Sequence, residues 1–192
     1  MPDKSFFRKE CLQKRKKQDW KESARCICGH LEEFFRKNCF ERVGFYYPIQ
    51  NEIDLREVLI RLKEEKVIKT LALPRIRQKK MQFLRWEASS VLDNDDTGIP
   101  APISGEIISP QCLLIPCVGI DPNGYRLGYG GGWYDRLLAQ NTFDITIGVL
   151  SREFLLPSIP HEVHDRPLSA FVNENGFTWV KPSRSELFSA KN

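Results

Sequence analysis

Residues 121–136 read D-P-N-G-Y-R-L-G-Y-G-G-G-W-Y-D-R, from Asp121 to Arg136. They hold five of the chain's twelve glycines: Gly124, Gly128, Gly130, Gly131 and Gly132. An apolar run, Cys112 to Ile120, leads in, and a helical pattern, Tyr134 to Ala139, leads out. Strand, glycine-rich turn and helix in that order make an α/β unit. Glycine tolerates positive φ and lets a ligand come close to main-chain N–H groups. A helix start adds unpaired N–H donors and partial positive charge. Together these suit a phosphate-type anion. The stretch matches neither the Walker pattern nor a clean dinucleotide fingerprint, so on glycines alone a phosphate loop and a structural turn are both open. Its polar neighbours add to the first. Arg126 stands before the glycines, and Arg grips phosphate by two parallel hydrogen bonds. Asp135 and Arg136 follow, and an Asp beside a polyphosphate can hold Mg2+. Asp135 is equally the acid that a first helical turn favours.

Upstream, Asp3 can cap a helix running to about Lys17, with Phe7 and Cys11 at helical spacing. Lys4 and Arg8 are four apart and share a face, where two cations repel unless an anion lies between them. A second helix is expected from about Lys21 to Lys37, with Ile27, Leu31, Phe34 and Phe35 as its apolar stripe. Phe40 to Tyr47 reads as a strand. Glu52-Ile53-Asp54 opens a third helix, and these acids either cap it or reach a ligand above a strand end. Val67 to Leu73 is a strand stopped by Pro74, and Met81 to Trp86 alternates like an edge strand or hairpin arm. Residues 88–111 hold three Asp, Gly98 and three Pro, and read as an irregular loop of the kind that often covers a site. Cys112 to Val118, Ile145 to Leu150, Ala170 to Val172 and Phe177 to Val180 read as further strands. Leu156 to Arg166, with His164 and Asp165, is loop or short helix, and Ser183 to Asn192 a tail. The alternation gives one α/β domain over residues 1–192: a mostly parallel, Rossmann-like sheet flanked by helices on both faces. The glycine turn then sits at a strand's carboxyl end, where open α/β sheets bind ligands.

Composition narrows the class. The 192 residues are 41% hydrophobic and 28% charged, a globular balance rather than a disordered one. No apolar run approaches the roughly 18 residues of a membrane span, and the first residues lack the apolar core of a secretory signal. A cytoplasmic monomer with no membrane partner is expected. The six cysteines form no C-x-x-C, and with three scattered histidines they read as reduced, mostly buried apolar residues rather than a metal or redox site. The net charge of +4 is uneven: residues 1–21 carry eight Lys/Arg against three Asp/Glu, while the rest is near neutral. That basic helix is a solvated face, a polyphosphate clamp or a nucleic-acid contact. The last wants aromatics interleaved with cations on one surface, and Phe6 and Phe7 look like core instead. No nucleic-acid partner is therefore expected.

With these residues in view, the chain resembles the 5-formyltetrahydrofolate cyclo-ligase family, also called methenyltetrahydrofolate synthetases. Its glycine signature resembles Ile120 to Asp135, and further motifs follow in order along nearly the whole chain. They are Lys4 with Arg8, Tyr47 with Glu52, Leu73-Pro74-Arg75 then Met81-Gln82-Phe83, and Pro160 with His164 and Asp165. Trp133 stands where the family usually has Tyr, which keeps a stacking surface. Ala101, Arg152, Glu153, Phe154 and Asn173 also depart from its usual residues, all of them outside the phosphate motif.

The resemblance implies cyclisation of 5-formyltetrahydrofolate to 5,10-methenyltetrahydrofolate with ATP and Mg2+, releasing ADP and phosphate through a phosphorylated formyl intermediate. A formamide oxygen is a poor leaving group; phosphorylation makes it a good one, and N10 can then close the ring. The protein's task is positioning and charge stabilisation. Carried over, Lys4, Ser5, Phe6, Phe7 and Arg8 would contact ATP together with Arg126, Leu127, Gly128, Tyr129, Gly130, Gly131, Gly132, Trp133 and Tyr134. Arg8 and Arg126 would be catalytic, Tyr47, Glu52, Met81 and Phe83 would touch the folate, and Asp135 and Asp165 would bind Mg2+. A nucleotide-binding module without this chemistry is the rival class.

Overall fold

The computed structural model describes residues 3–17, 19–163 and 165–180; His164 and the tail 183–192 lie outside them. Asp3 accepts a hydrogen bond from the Phe6 N–H (3.0 Å) and so starts α1, Lys4–Lys16. Helix α2, Lys21–Lys37, buries Ile27, Leu31, Phe34 and Phe35, the stripe read from the sequence. There follow β1 (Arg42–Gly44), α3 (Arg56–Glu64), β2 (Thr70–Arg77), β3 (Lys80–Trp86), β4 (Leu92–Asn94), β5 (Pro100–Pro102) and β6 (Ile107–Ile108). The second half holds β7 (Cys112–Pro116), β8 (Gly119–Ile120), β9 (Arg126–Leu127), α4 (Trp133–Gln140), β10 (Ile145–Val149), β11 (Ala170–Asn173) and β12 (Gly176–Trp179).

Eight strands form one sheet in the order β12-β11-β10-β7-β1-β2-β3-β6. The five central strands, β11 to β2, are mutually parallel, while β12, β3 and β6 run antiparallel. The expected parallel sheet is thus its centre alone. Strands β3 and β12 turn back because their connections to β2 and β11 are too short to cross over. Gln78 and Lys79, both at positive φ, close the β2–β3 hairpin in the manner of a type I′ turn, and residues 174–175 join β11 to β12. The steps β1–α3–β2 and β7–α4–β10 move in opposite directions along the sheet. Right-handed crossovers then put α3 and α4 on opposite faces, so helices flank both. Val43, Leu113, Ile115 and Ile147 are fully buried between these layers.

Four local expectations change. Strand β2 does not stop at Pro74 but runs on to Arg77. Its pairing with β1 ends at Ala72, so the proline's missing N–H costs nothing on that side. Helix α3 begins at Arg56 rather than near Glu52. Residues 88–111 carry the β4–β5 hairpin, whose turn is pinned to β2: Asp95 accepts from the Ile76 N–H (2.9 Å) and Asp96 from the Gln78 N–H (2.7 Å). The cysteines are all free, but only Cys11, Cys112 and Cys117 are buried, and Cys39 is exposed.

Candidate functional site

The run into the glycines is not one strand. Strand β7 ends at Pro116, and the β8–β9 hairpin folds over the turn Asp121-Pro122-Asn123-Gly124. Asp121, 1% exposed, holds that turn, accepting from the N–H groups of Asn123 (2.9 Å) and Tyr125 (3.0 Å) through one oxygen. Its other oxygen accepts from the Ile159 N–H (3.1 Å), fixing the loop that later carries Asp165. At Gly124 (φ +82) a Cβ would lie 2.8 Å from the Leu168 carbonyl oxygen, so only glycine fits. Beyond β9 the chain passes through Gly128–Gly132 into α4. Gly132 caps that helix at φ +64 and offers no side chain to bond its first turn. Those N–H groups and the positive end of the helix are left for a ligand.

A cleft of about 480 Å3 opens at this loop. Its lining gathers Lys4, Arg8, Arg126, the loop Gly128–Gly132, Trp133, Tyr134, Asp135 and Asp165, residues from three distant parts of the chain. Tyr47, Glu52 and Met81 line it too. Arg8 Nε donates to the Gly128 carbonyl (2.7 Å) and so docks α1 against the loop. Lys4 Nζ pairs with Asp165 Oδ2 (2.6 Å), and Arg126 Nη2 with Asp135 Oδ1 (2.5 Å). Lys4 and Arg126 thus each face a carboxylate at the wall, and the Arg126 side chain is only 5% exposed. An entering phosphate could take over these cations, because charge-assisted bonds to phosphate equal those to carboxylate.

Beneath the cleft lies a buried polar network. Residues Ile49 to Glu52 form a tight turn in which the Glu52 N–H donates to the Ile49 carbonyl and the Ile49 N–H to Glu52 Oε2 (2.9 Å). The Glu52 side chain, 3% exposed, therefore points inward. Tyr129 donates its hydroxyl hydrogen to Glu52 Oε1 (2.8 Å) and accepts from Arg15 Nη1 (3.0 Å). Arg15 also donates to the Cys117 carbonyl (2.5 Å), and its guanidinium lies 5.1 Å from the Phe154 ring centre. Burial pushes the Glu52 carboxyl up to about 7, with the Ile49 and Tyr129 bonds and Arg15 opposing. Burial first, and the Glu52 charge second, hold the Tyr129 phenol well above its ordinary range, so it stays a neutral relay.

Other predicted residues fall elsewhere. Ser5 bonds Asp3 (2.7 Å), Phe6 is half exposed, and Phe7 packs on the core; none of the three lines the cleft. Phe83 is buried in β3 and faces a neighbouring groove instead. Sequence reading missed Arg15, hidden among the other cations of a basic helix. It also missed Asp95, Thr97 and Ile99, which the β4–β5 turn brings to the cleft wall. The turn-forming Asp95-Asp96-Thr97-Gly98 was the available signal for that hairpin. Among the described residues no three His, Cys, Asp or Glu side chains cluster as a metal site.

The fold and cleft define an α/β protein that offers an anionic ligand a glycine-rich helix entrance and converging cations at the carboxyl edge of its parallel strands. The family model of the 5-formyltetrahydrofolate cyclo-ligases matches residues 1–174, and the chain belongs to that family. It is 29% identical over 144 residues to the 5-formyltetrahydrofolate cyclo-ligase of Mycoplasma pneumoniae, covering 73% of this chain and 79% of that one. The corresponding Haemophilus influenzae protein is 25% identical over 150 residues, 74% of this chain and 80% of its own. The solved structure of Aquifex aeolicus 5,10-methenyltetrahydrofolate synthetase superimposes with a TM-score of 0.79 at 28% identity, over 94% of both chains. No helix among the described residues is long and apolar enough to cross a membrane.

Proposed function

We propose that this chain cyclises 5-formyltetrahydrofolate to 5,10-methenyltetrahydrofolate with consumption of ATP and Mg2+. One observation carries the reading: a single cleft joins the cations Lys4, Arg8 and Arg126 and the open start of α4 to a carboxylate wall and to Tyr47, Glu52 and Met81. The first set suits a triphosphate and the second a pterin. Glu52 would anchor the pterin by accepting its N–H groups, and Tyr129 and the Ile49 N–H hold that carboxylate in place. Arg8 and Arg126 would bind the oxygens of the transferring γ-phosphoryl group and the formyl oxygen, which attacks the γ-phosphorus as the bond to ADP breaks. Once that oxygen carries phosphate, N10 attacks the formyl carbon, the C–O bond breaks, phosphate leaves and the N10 proton is lost.

Asp135 and Asp165 fit Mg2+ by the chemistry of their donors. Mg2+ takes one or two carboxylates, several waters and the substrate's phosphates, so it needs no larger cluster. When bound, the ion would neutralise charge on the phosphates. The reading has the enzyme work as a monomer in the cytoplasm. The decisive test is methenyltetrahydrofolate absorbance, expected only when ATP, Mg2+ and 5-formyltetrahydrofolate are present together. A folded sample that gives none with all three overturns the proposal.

A further inference from the structure

Among the described residues two cations are buried, Arg15 and Arg75. Arg15 meets Glu52, Tyr129 and the Cys117 carbonyl. Arg75, 7% exposed, joins no ion pair among the described residues. Its Nη1 donates to the Pro102 carbonyl, and its Nε is the one buried side-chain polar atom without a partner among the described residues. A buried charge with so little compensation lowers stability, so its use is sought outside the core. Side chains alternate along β2, which puts Arg75 on the face opposite Pro74 and Ile76, and those two line the cleft. Pro102 ends β5, so Arg75 fastens the stem of the β4–β5 hairpin on the side of the sheet away from the cleft. The turn of the same hairpin lines the cleft through Asp95, Thr97 and Ile99. The hairpin therefore passes from the back of the sheet to its front, around the edge of β2 that β1 leaves open beyond Ala72.

We infer that Arg75 is a positioning residue for the reaction: by holding β5 behind the sheet it sets where Thr97 and Ile99 stand, and these side chains close the cleft on the folate. The inference rests on the cyclisation reading for the identity of the substrate. Ile76 shows which end of the cleft is concerned. It pairs with Met81 across β3 on one side and donates to Asp95 on the other, so the turn stands beside the end that carries Met81. Two kinds of anchor act on the hairpin. The Asp95 and Asp96 bonds fix its turn along β2, and the Arg75 bond fixes its stem across the sheet. The turn keeps its own shape without Arg75, because Asp95 also accepts from the N–H groups of Thr97 (2.8 Å) and Ile99 (3.3 Å). Losing Arg75 therefore shifts the turn as a unit rather than dissolving it. No Arg75 bond reaches the glycine loop, so the ATP end of the cleft is left as it is.

The variant to use is R75M, which keeps an unbranched side chain and removes its donors. It should melt within about 5 °C of the parent, since relief of a buried charge offsets the lost bond. Deuterium uptake should rise in residues 92–102 and stay level in the glycine loop. KM for 5-formyltetrahydrofolate should rise about tenfold, the effect of one lost bond from a charged donor, with KM for ATP and kcat within about twofold. R75K can still donate to the Pro102 carbonyl and should recover most of the loss. An unchanged KM for 5-formyltetrahydrofolate in folded R75M overturns the inference. Equal rises in both KM values overturn it too, since Arg75 would then serve the fold alone. Should R75M not fold, D96A decides: it frees the turn from the Gln78 N–H at an exposed position, and a parental KM for 5-formyltetrahydrofolate there overturns the hairpin's role. Weaker 5-formyltetrahydrofolate binding by R75M in calorimetry, in a chain that forms no methenyl product, would support the positioning while sinking the cyclisation. Product formation by R75M with parental KM values would do the reverse.

Discussion

The two floors of the cleft are built on opposite principles. At the glycine loop each ion pair keeps one partner open to solvent: the Lys4 side chain is 29% exposed against 12% for Asp165, and Asp135 31% against 5% for Arg126. Such pairs add little to stability and can change partner. Under Tyr129, Arg15 and Glu52 are 4% and 3% exposed, and neither can be lost without leaving polar groups unpaired. The first arrangement suits a ligand that comes and goes, the second one that must always be met by the same carboxylate. The difference teaches that charge alone does not mark function here; exposure decides whether an ion pair holds the fold or waits for a substrate.

The comparison breaks first at Arg15. Replacing it with Ala should cost roughly 3–5 kcal/mol of stability, because a buried charge network loses its cation. Urea unfolding measures this, and a loss below about 1 kcal/mol would put Arg15 with the exchangeable pairs. Next comes the pH dependence of Glu52. Its folded carboxyl sits near 7 against an ordinary 4.5, so between these values the folded chain keeps a proton that the unfolded chain has released. That contribution is complete below about pH 4.5 and is lost as pH rises to 7, a span worth roughly 3 kcal/mol. Glu52→Gln should flatten the slope in pH-dependent unfolding; an unchanged slope would mean another group titrates. The smallest effect on the fold belongs to Arg8. Arg8→Ala should lower turnover about a hundredfold by removing a charged donor, while stability changes by less than about 1 kcal/mol. An Arg8→Ala protein with full activity would remove the clamp from the account.

Much of this was readable in advance. The stripe of α2 follows from helical spacing, and the helix after the glycines from their position behind a buried strand. Met81 to Trp86 was legible as a hairpin arm, but its pairing with the strand just before it was not, because Gln78-Lys79 lacks the Asn-Gly signature of the turn it forms. Phe83 was assigned to the folate together with Met81 on the resemblance, and residues two apart in a strand do face the same side. Met81 and Phe83 share a face, and it is depth along β3 that leaves Phe83 in the groove alone.

By itself the sequence determined the α/β alternation, the phosphate-suited loop and the residue types that converge on it, since these rest on local periodicity and backbone freedom. Tertiary structure alone decided which charges are buried. Whether Arg15 lies under Tyr129 or in water depends on how α1 docks across Gly128, a contact 120 residues away along the chain. Local pattern carries no information about solvent access at that distance, and solvent access sets the strength of every ion pair in the cleft.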